Sequence, residues 1–295
     1  MLPVTAAQMR EATNGTLYGD AALTVTALST DSRQITPGVW FVPIVGEKFD
    51  GHDFIDKALE AGASGCFCAR LPENLRPDKT YIQVPDTKRA MKDLAQWYRG
   101  QFNLPVVQVT GSTGKTTIKE MIATVLSQKL NVLKTKGNFN GDIGTPLIML
   151  ELAPEHQAAG IETGMDAPGQ IRNMGEMVQP DFAVIGNIGE AHMEYLGSKE
   201  AILRAKCEIF ENLRPGGVAI LNGDDEMLNT VTLPFETLRC GMGENCNVRV
   251  ENVEDLPGGD ETDGEEEEGK TATFPFLNRL FSGGDVSKEE SGEEV

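Results

Sequence analysis

Residues 110–117 read TGSTGKTT, and they lie between the apolar run PVVQVT and a long stretch with the apolar periodicity of a helix. A strand, a glycine-containing loop and a helix in this order indicate a phosphate-binding loop, because the loop N–H groups and the helix N-terminus can both face an anion. The lysine would reach the β- and γ-phosphates, and the threonine hydroxyl after it would bind Mg²⁺. The full motif has a glycine six residues before the lysine, where this chain has Val109, so the loop has the shorter GxxGKT form. The predicted nucleotide-binding residues of this loop are Gly111, Ser112, Thr113, Gly114, Lys115, Thr116 and Thr117.

Downstream of the loop, short apolar strands alternate with amphipathic helices. Strands are predicted at AAGIET (158–163), FAVIGNI (182–188) and GVAILN (217–222), and helices at PGQIRNMGEMV and SKEAILRAKCEIFENL. This alternation predicts an α/β fold in which helices cover both faces of a doubly wound, mostly parallel sheet. Ligands of such sheets bind at the carboxyl ends of the strands. The polar and glycine residues at those ends are Gly111, Glu162, Asn187 and Asn222.

The composition divides the chain into four parts. Residues 1–84 are predicted to form a small mixed domain, 85–103 a connecting helix, and 104–256 the central nucleotide-binding domain. Residues 257–295 hold 12 Asp and Glu against 3 Lys and Arg, a net charge of −9. They are expected to form a disordered acidic tail, because they cannot bury enough apolar surface to fold. The segment TATFPFLNRLF within them leaves a second interpretation open, a docking motif or a strand added to a sheet edge.

The overall composition excludes several classes of protein. The 295 residues are 40% hydrophobic and carry a net charge of −19, which argues against a general nucleic-acid binder. No apolar run of about 18 residues occurs, so no membrane insertion is expected. The first residues lack a basic segment before an apolar core, so no secretory signal is expected. Five scattered cysteines predict buried free thiols in a reducing cytoplasm. They are Cys66, Cys68, Cys207, Cys240 and Cys246.

Three further residues are candidates for a metal site near the loop. Glu162 ends a strand that is expected to lie beside the loop strand, although a glutamate at a strand end is often only solvated. His192 follows the next strand and is a candidate ligand, although a lone histidine is more often structural. Lys206 lies near Ala205 and Ile209 on the apolar side of a predicted helix, where a lysine needs a special reason to point inward.

Six segments, in this order, resemble the Mur ligases of peptidoglycan synthesis. They are GSTGKTT, GNFNGDIGTPL, IETGMDAPGQI, NIGEAHMEYLGS, AKCEIF and LNGDDE. Upstream, TDSR at 30–33, VWFV at 39–42 and DGH at 50–52 are similar to the uridine-nucleotide-binding domain of that family. The resemblance covers residues from about 24 to 250.

The resemblance implies an ATP-dependent, amide-forming ligase. ATP would phosphorylate the terminal carboxylate of UDP-N-acetylmuramoyl-tripeptide, and the amine of D-alanyl-D-alanine would attack the acyl phosphate. The implied catalytic residues are Lys115, Glu162, His192 and Lys206. Mg²⁺ would be held by Thr116, Glu162, His192 and a carbamylated Lys206. By the same resemblance Asn138 and Asn140 lie near nucleotide and substrate, Asn222 and Asp224 edge the nucleotide site, and Ser32 and Arg33 contact the uracil nucleotide. The family also suggests a monomer.

The chain departs from the family pattern at two residues and after the central domain. Gly141 replaces a repeated asparagine, and Gln170 replaces a glutamate. No third α/β domain is recognisable, so its absence is expected. A shortened, weakly active or non-catalytic module that binds ATP and the UDP-linked substrate, and needs a partner domain in trans, is therefore an open alternative. Another phosphate-loop enzyme, such as a folylpolyglutamate-type ligase, is a third, although Ser32 and Arg33 argue against it.

Overall fold

The N-terminal part of the chain forms a small mixed sheet. The computed structural model describes residues 1–191 and 193–250, apart from the side chain of Glu194. A five-stranded sheet has the order β2-β7-β6-β5-β4, with only the β2–β7 pair antiparallel, and β1 pairs separately with β3. Its elements are β1 Val4–Thr5, α1 Ala6–Thr13, β2 Thr16–Tyr18, β3 Thr24–Val25, β4 Leu28–Ser29, β5 Trp40–Phe41, the 3₁₀ turn Gly51–Phe54, α2 Ile55–Glu60, β6 Gly65–Cys68 and β7 Thr80–Gln83.

The second sheet has seven strands and is parallel at every described pair. Its order is β14-β13-β12-β11-β8-β10-β9, so the strand before the phosphate loop, β8, lies between β11 and β10. The mostly parallel α/β architecture predicted from the sequence is therefore confirmed. The remaining elements are α3 Thr87–Arg99, β8 Val106–Thr110, α4 Lys115–Ser127, β9 Val132–Lys134, α5 Gly144–Met149, β10 Ala158–Glu162, α6 Gln170–Val178, β11 Phe182–Ile185, α7 Met193–Leu196, α8 Lys199–Cys207, the 3₁₀ turn Glu208–Phe210, β12 Val218–Asn222, α9 Glu226–Asn229, β13 Glu236–Gly241 and β14 Val248–Arg249.

The helix α3 joins the two sheets. Asp86 caps it by accepting from the N–H groups of Lys88 and Arg89 at 2.8 and 3.0 Å. The apolar side chains at helical spacing, among them Met91 and Leu94, are fully buried. They belong to one cluster of buried side chains that extends from the N-terminal sheet through α3, α5 and α6 to the parallel sheet. Residues 1–250 therefore form one compact unit.

One helix differs from the sequence-based expectation, and two of the predictions fall on residues that the structure does not describe. The helix predicted over SKEAILRAKCEIFENL ends as α-helix at Cys207 and continues as a 3₁₀ turn. The Glu208 carboxylate in that turn accepts from the N–H groups of Gly169 and Arg172 at the start of α6, which draws the chain towards α6. His192, a predicted metal ligand, lies outside the described residues. Residues 257–295, on which the docking and tail interpretations rest, also lie outside them.

Two further expectations concern the cysteines and membrane insertion. All five cysteines are free, and Cys66 and Cys68 are buried on β6 while the other three are partly buried. In the part of the chain that is described, the helices are too short or too polar to cross a membrane.

Candidate nucleotide and metal site

The phosphate loop joins the end of β8 to the start of α4. Gly114 is the residue before the helix, and its φ of 70° lies in the left-handed region that favours glycine. Because glycine has no side chain, it cannot cap the helix. The first N–H groups of α4, those of Lys115, Thr116 and Thr117, have no acceptor within the helix and are oriented to bind an anion.

Asn187, two residues after the end of the neighbouring strand β11, holds the loop in shape. Its Oδ1 accepts from the N–H groups of Ser112 and Thr113 at 2.9 and 3.0 Å, and its Nδ2 donates to Thr113 Oγ1 at 2.9 Å. The adjacent Gly189 N–H donates to Ser112 Oγ at 2.8 Å. The sequence places Asn187 at a strand end but gives it no role. Its position one strand from the loop is the only signal that points to it.

Glu162 ends β10 on the other side of the loop strand and is 1% exposed. Its carboxylate accepts from Thr116 Oγ1 at 2.9 Å and from Asn140 Nδ2 at 2.7 Å. Both partners are neutral, and no described Lys or Arg forms an ion pair with Glu162. A buried carboxylate beside a hydroxyl and without a cation fits a divalent cation.

A metal here would depend on few protein ligands. No cluster of three or more His, Cys, Asp or Glu suited to a metal occurs among residues 1–191 and 193–250. Mg²⁺ commonly takes one or two protein ligands and completes its shell with water and phosphate oxygens. Thr116 and Glu162 therefore fit Mg²⁺ that arrives with a nucleotide.

Two lysine side chains converge on the loop carbonyl of Gly111. Lys115 Nζ donates to it at 3.1 Å, and Lys206 Nζ from α8 donates to it at 2.9 Å. Lys206 is 2% exposed. Burial, together with the charge of Lys115, lowers the pKa of Lys206 to about 8. Lys206 therefore points inward from α8, and its amine is partly neutral near neutral pH.

A cavity of about 520 Å³ opens beside these groups. Gly141, where the family repeats an asparagine, has open space around its missing Cβ. Gln170, where the family has a glutamate, accepts from Asp166 N at 2.6 Å and so holds the turn before α6. The two residues that depart from the family pattern therefore line the same cavity as the predicted site residues Lys115, Asn138 and Asn140. Its lining includes Lys88, Lys115, Asn138, Asn140, Gly141, Asp142, Gln170 and Lys206.

Four predicted site residues neither line this cavity nor belong to the loop and its contacts described above. Asn222 ends β12 and Asp224 lies two residues after it. The Asp224 carboxylate accepts from Met242 N and Gly243 N at 2.8 Å each. Ser32 and Arg33 lie in the N-terminal part. Arg33 is exposed and pairs with Asp31 at 2.8 Å. That pair lowers the pKa of Asp31 to about 2. The roles given to these four residues remain predictions.

The parallel sheet, the loop at its central strand and the carboxylate beside it are the features of the α/β class of proteins that have a phosphate loop. Comparison with known families narrows this class. "Mur ligase middle domain" matches residues 109–277, and "Mur ligase family, catalytic domain" matches residues 24–99. The chain belongs to the Mur ligase family.

Individual relatives agree with this assignment. The proteins named UDP-N-acetylmuramoyl-tripeptide--D-alanyl-D-alanine ligase of Escherichia coli K12 and Bacillus subtilis 168 are 43% and 38% identical to it. Those alignments cover 76% and 86% of this chain, and 49% and 56% of the relatives. The chain thus spans about half the length of the curated relatives it matches.

Solved structures share the fold. MurF from Acinetobacter baumannii superposes with a TM-score of 0.79 at 34% identity, over 86% of this chain and 56% of that one. MurF ligase from Thermotoga maritima in complex with ADP superposes with a TM-score of 0.68 at 34% identity, over 73% of this chain and 50% of that one.

Proposed function

We propose that this chain supplies the nucleotide-binding and UDP-substrate-binding parts of an ATP-dependent ligase that joins D-alanyl-D-alanine to UDP-N-acetylmuramoyl-tripeptide. The observation that carries the proposal is the contact of Thr116 with Glu162 beside the free N-terminus of α4. The names of the relatives supply the substrates. Residues 1–84 would bind the uridine nucleotide and residues 104–256 would bind ATP, with α3 between them.

The proposed reaction has two steps. The tripeptide carboxylate attacks the terminal phosphorus of ATP, so ADP leaves and an acyl phosphate forms. The amine of D-alanyl-D-alanine then attacks the acyl carbon, and phosphate leaves as the amide forms and a proton is lost. Both steps bring anions together, so their rates depend on positioning and on nearby positive charge.

The residues of this chain have distinct tasks in that reaction. The first N–H groups of α4 and the Lys115 ammonium would bind phosphate oxygens. Thr116 and Glu162 would hold Mg²⁺, which when bound offsets the charge on the phosphates. Asn140 orients the Glu162 carboxylate through the 2.7 Å hydrogen bond. His192 is retained as a proposed ligand from the family resemblance.

Lys206 is proposed to carry a carbamate that holds a second Mg²⁺. The uncharged amine would attack CO₂, form an N–C bond and lose a proton. Its pKa of about 8 supports this step, because an appreciable fraction of the amine is uncharged near neutral pH. A location in the cytoplasm is also proposed, and the five free cysteines support it.

The test begins with nucleotide binding. Calorimetric titration of MgATP into the full chain should give saturable binding, and Lys115→Ala and Glu162→Gln should each weaken it at least tenfold. Lys129→Ala, at a lysine after the end of α4, is the control and should bind as wild type. If Lys115→Ala keeps wild-type affinity, the phosphate-loop assignment is wrong.

ADP release then tests the ligase activity itself. The chain is mixed with ATP, UDP-N-acetylmuramoyl-tripeptide and D-alanyl-D-alanine, alone and with the C-terminal half of the Escherichia coli relative. Release that requires all three substrates supports a ligase. Binding without release in either mixture would favour the non-catalytic module instead.

A further inference from the structure

The helix α3 carries three basic side chains on the face that packs against the parallel-sheet region. Lys88, Lys92 and Arg99 are four and seven residues apart, which places them on one side of the helix. Lys92 Nζ donates to Glu176 of α6 at 2.5 Å, and the Arg99 guanidinium donates to three backbone carbonyls. Lys92 and Arg99 are buried. They fix this face of α3 in place.

Lys88 differs from the other two because it lies over the cavity beside the phosphate loop. Its side chain is 45% exposed and its Nζ donates to Asp142 at 2.8 Å. Every other described residue that lines this cavity comes from the segment between Lys115 and Lys206. Lys88 thus brings a charge from outside the phosphate-loop domain to the edge of the candidate site.

Fold stability gives little reason for a lysine at this position. Lys88 is the second residue of α3, where a positive charge opposes the helix dipole. Its ion pair with Asp142 is partly exposed to solvent, and solvent-accessible pairs contribute little to stability. Because stability does not require a lysine at position 88, binding of a ligand is the better explanation for its presence there.

The charges around the cavity indicate which ligand fits. Its lining includes three lysines, Lys88, Lys115 and Lys206, and two carboxylates, Asp142 and Asp166. An anionic ligand that reaches from the phosphate loop to α3 would meet all three cations. The diphosphate and the peptide carboxylates of a UDP-linked muramoyl tripeptide are anions of this kind.

We propose that Lys88 binds an anionic oxygen of the UDP-linked substrate, and that the substrate displaces Asp142 from Lys88. This inference rests on the proposed function and adds a binding residue to it. Asp142 is then the competitor that holds Lys88 in place before substrate arrives.

Two variants distinguish this role from a structural one. UDP-N-acetylmuramoyl-tripeptide is titrated into the full chain by calorimetry. Lys88→Met should weaken binding roughly tenfold or more, since a charge-assisted hydrogen bond is lost. Asp142→Asn should strengthen binding a few-fold, because the competitor is removed. If the pair is only structural, both variants weaken binding together, and that result overturns the proposal.

Controls separate the anion contact from general charge effects. Lys136→Met is matched, since Lys136 is exposed and pairs with Glu151 at 2.6 Å but does not line this cavity; it should bind as wild type. Lys88→Arg should stay within about threefold of wild type, and Lys88→Met should keep its MgATP affinity. The same titration with UDP identifies the anion: a loss with UDP as well indicates the diphosphate, and a loss with the tripeptide substrate alone indicates a carboxylate.

The outcomes also separate this inference from the proposed function. If wild type binds MgATP and the UDP-linked substrate while Lys88→Met binds the latter within twofold of wild type, only the role of Lys88 is refuted. If wild type does not bind the UDP-linked substrate, the proposed function and this inference fail together. Should Lys88→Met not fold, a weakened Asp142→Asn would still refute the proposal and a strengthened one would support it.

Discussion

Asn187 shows how one side chain at a strand end can set the shape of a loop on the next strand. Its amide oxygen accepts from two loop N–H groups, and its amide nitrogen reaches the Thr113 hydroxyl. The backbone of the next residue, Ile188, donates to Asp225 Oδ2 at 2.8 Å, which anchors this segment from the far side. The loop conformation therefore depends on residues that a motif search over 110–117 does not include.

Replacing Asn187 by alanine should weaken MgATP binding roughly tenfold or more. The change removes three hydrogen bonds, each of which contributes about 1 kcal/mol, from a loop that must be ordered to bind phosphate. Calorimetry measures the affinity. Asn212→Ala is the control, because the Asn212 amide likewise bonds to the backbone, donating to the carbonyl of Arg172, but it makes no contact with the loop among the hydrogen bonds of the described residues. Equal affinities for the two variants would contradict this account.

The buried amine of Lys206 should make stability depend on pH. Its pKa is about 8 in the folded chain against 10.5 for an ordinary lysine, so between these values the unfolded chain binds more protons. The free energy of unfolding of wild type should therefore rise from pH 7 to pH 10 relative to Lys206→Met, by on the order of 2 kcal/mol. Urea unfolding in CO₂-free buffer measures it. A constant difference across that range would show that Lys206 is not desolvated.

The residues of the site were predictable to different extents. Thr116 and Glu162 are in contact as the strand pattern suggests, because neighbouring parallel strands end at the same edge. The sequence does not show that the Asp224 carboxylate accepts from the N–H groups of Met242 and Gly243, which follow β13. That contact depends on where β13 returns to the sheet, and no periodicity in the sequence encodes it.

For the helices and strands, local sequence patterns predicted where an element lies better than they predicted how long it is. The loop, its flanking strand and the start of α4 follow from glycine placement and apolar runs. The end of α8 does not, because apolar periodicity continues to Phe210 while the backbone tightens at Glu208. The cause is a tertiary contact, the bond of Glu208 to the start of α6, which local propensity does not contain.

Glu208 should therefore stabilise the fold more than its neighbour Glu211. The Glu208 carboxylate is 6% exposed and accepts from two N–H groups at the N-terminus of α6, a cap whose loss costs about 1–2 kcal/mol. Glu211 forms an exposed pair with Arg172, which contributes at most about 1 kcal/mol. Glu208→Ala should lower Tm by about 2–6 °C in thermal unfolding.

The paired measurement uses Glu211→Ala under the same conditions. Its Tm should change by less than that of Glu208→Ala. Glu208→Gln, which keeps a side-chain oxygen, should recover part of the loss. If Glu211→Ala proved the more destabilising of the two, the capping contact would not be the reason that the helix ends early.

At the scale of the whole molecule, the order of the strands creates the site. From β8 the chain adds β9 and β10 on one side and then β11 and β12 on the other. The chain therefore leaves β8 in one direction and leaves its neighbour β11 in the opposite direction, which opens a crevice where ligands of such sheets bind. Glu162 ends β10 and Asn187 follows the end of β11 by two residues, so they lie on the two sides of β8, which these strands flank.

Deleting residues 257–295 tests the two interpretations of the acidic tail. The deleted segment carries a net charge of −9, and its composition is expected to bury too little apolar surface to fold. Tm of the shortened chain should therefore stay within about 2 °C of the full chain, and its affinity for MgATP within twofold. A second deletion, of TATFPFLNRLF alone, removes most of the apolar side chains of the tail and leaves its acidic residues, so it separates the effects of the two on Tm. If either deletion lowers Tm by several degrees, the tail packs on the rest of the chain, and the docking interpretation replaces the solvated one.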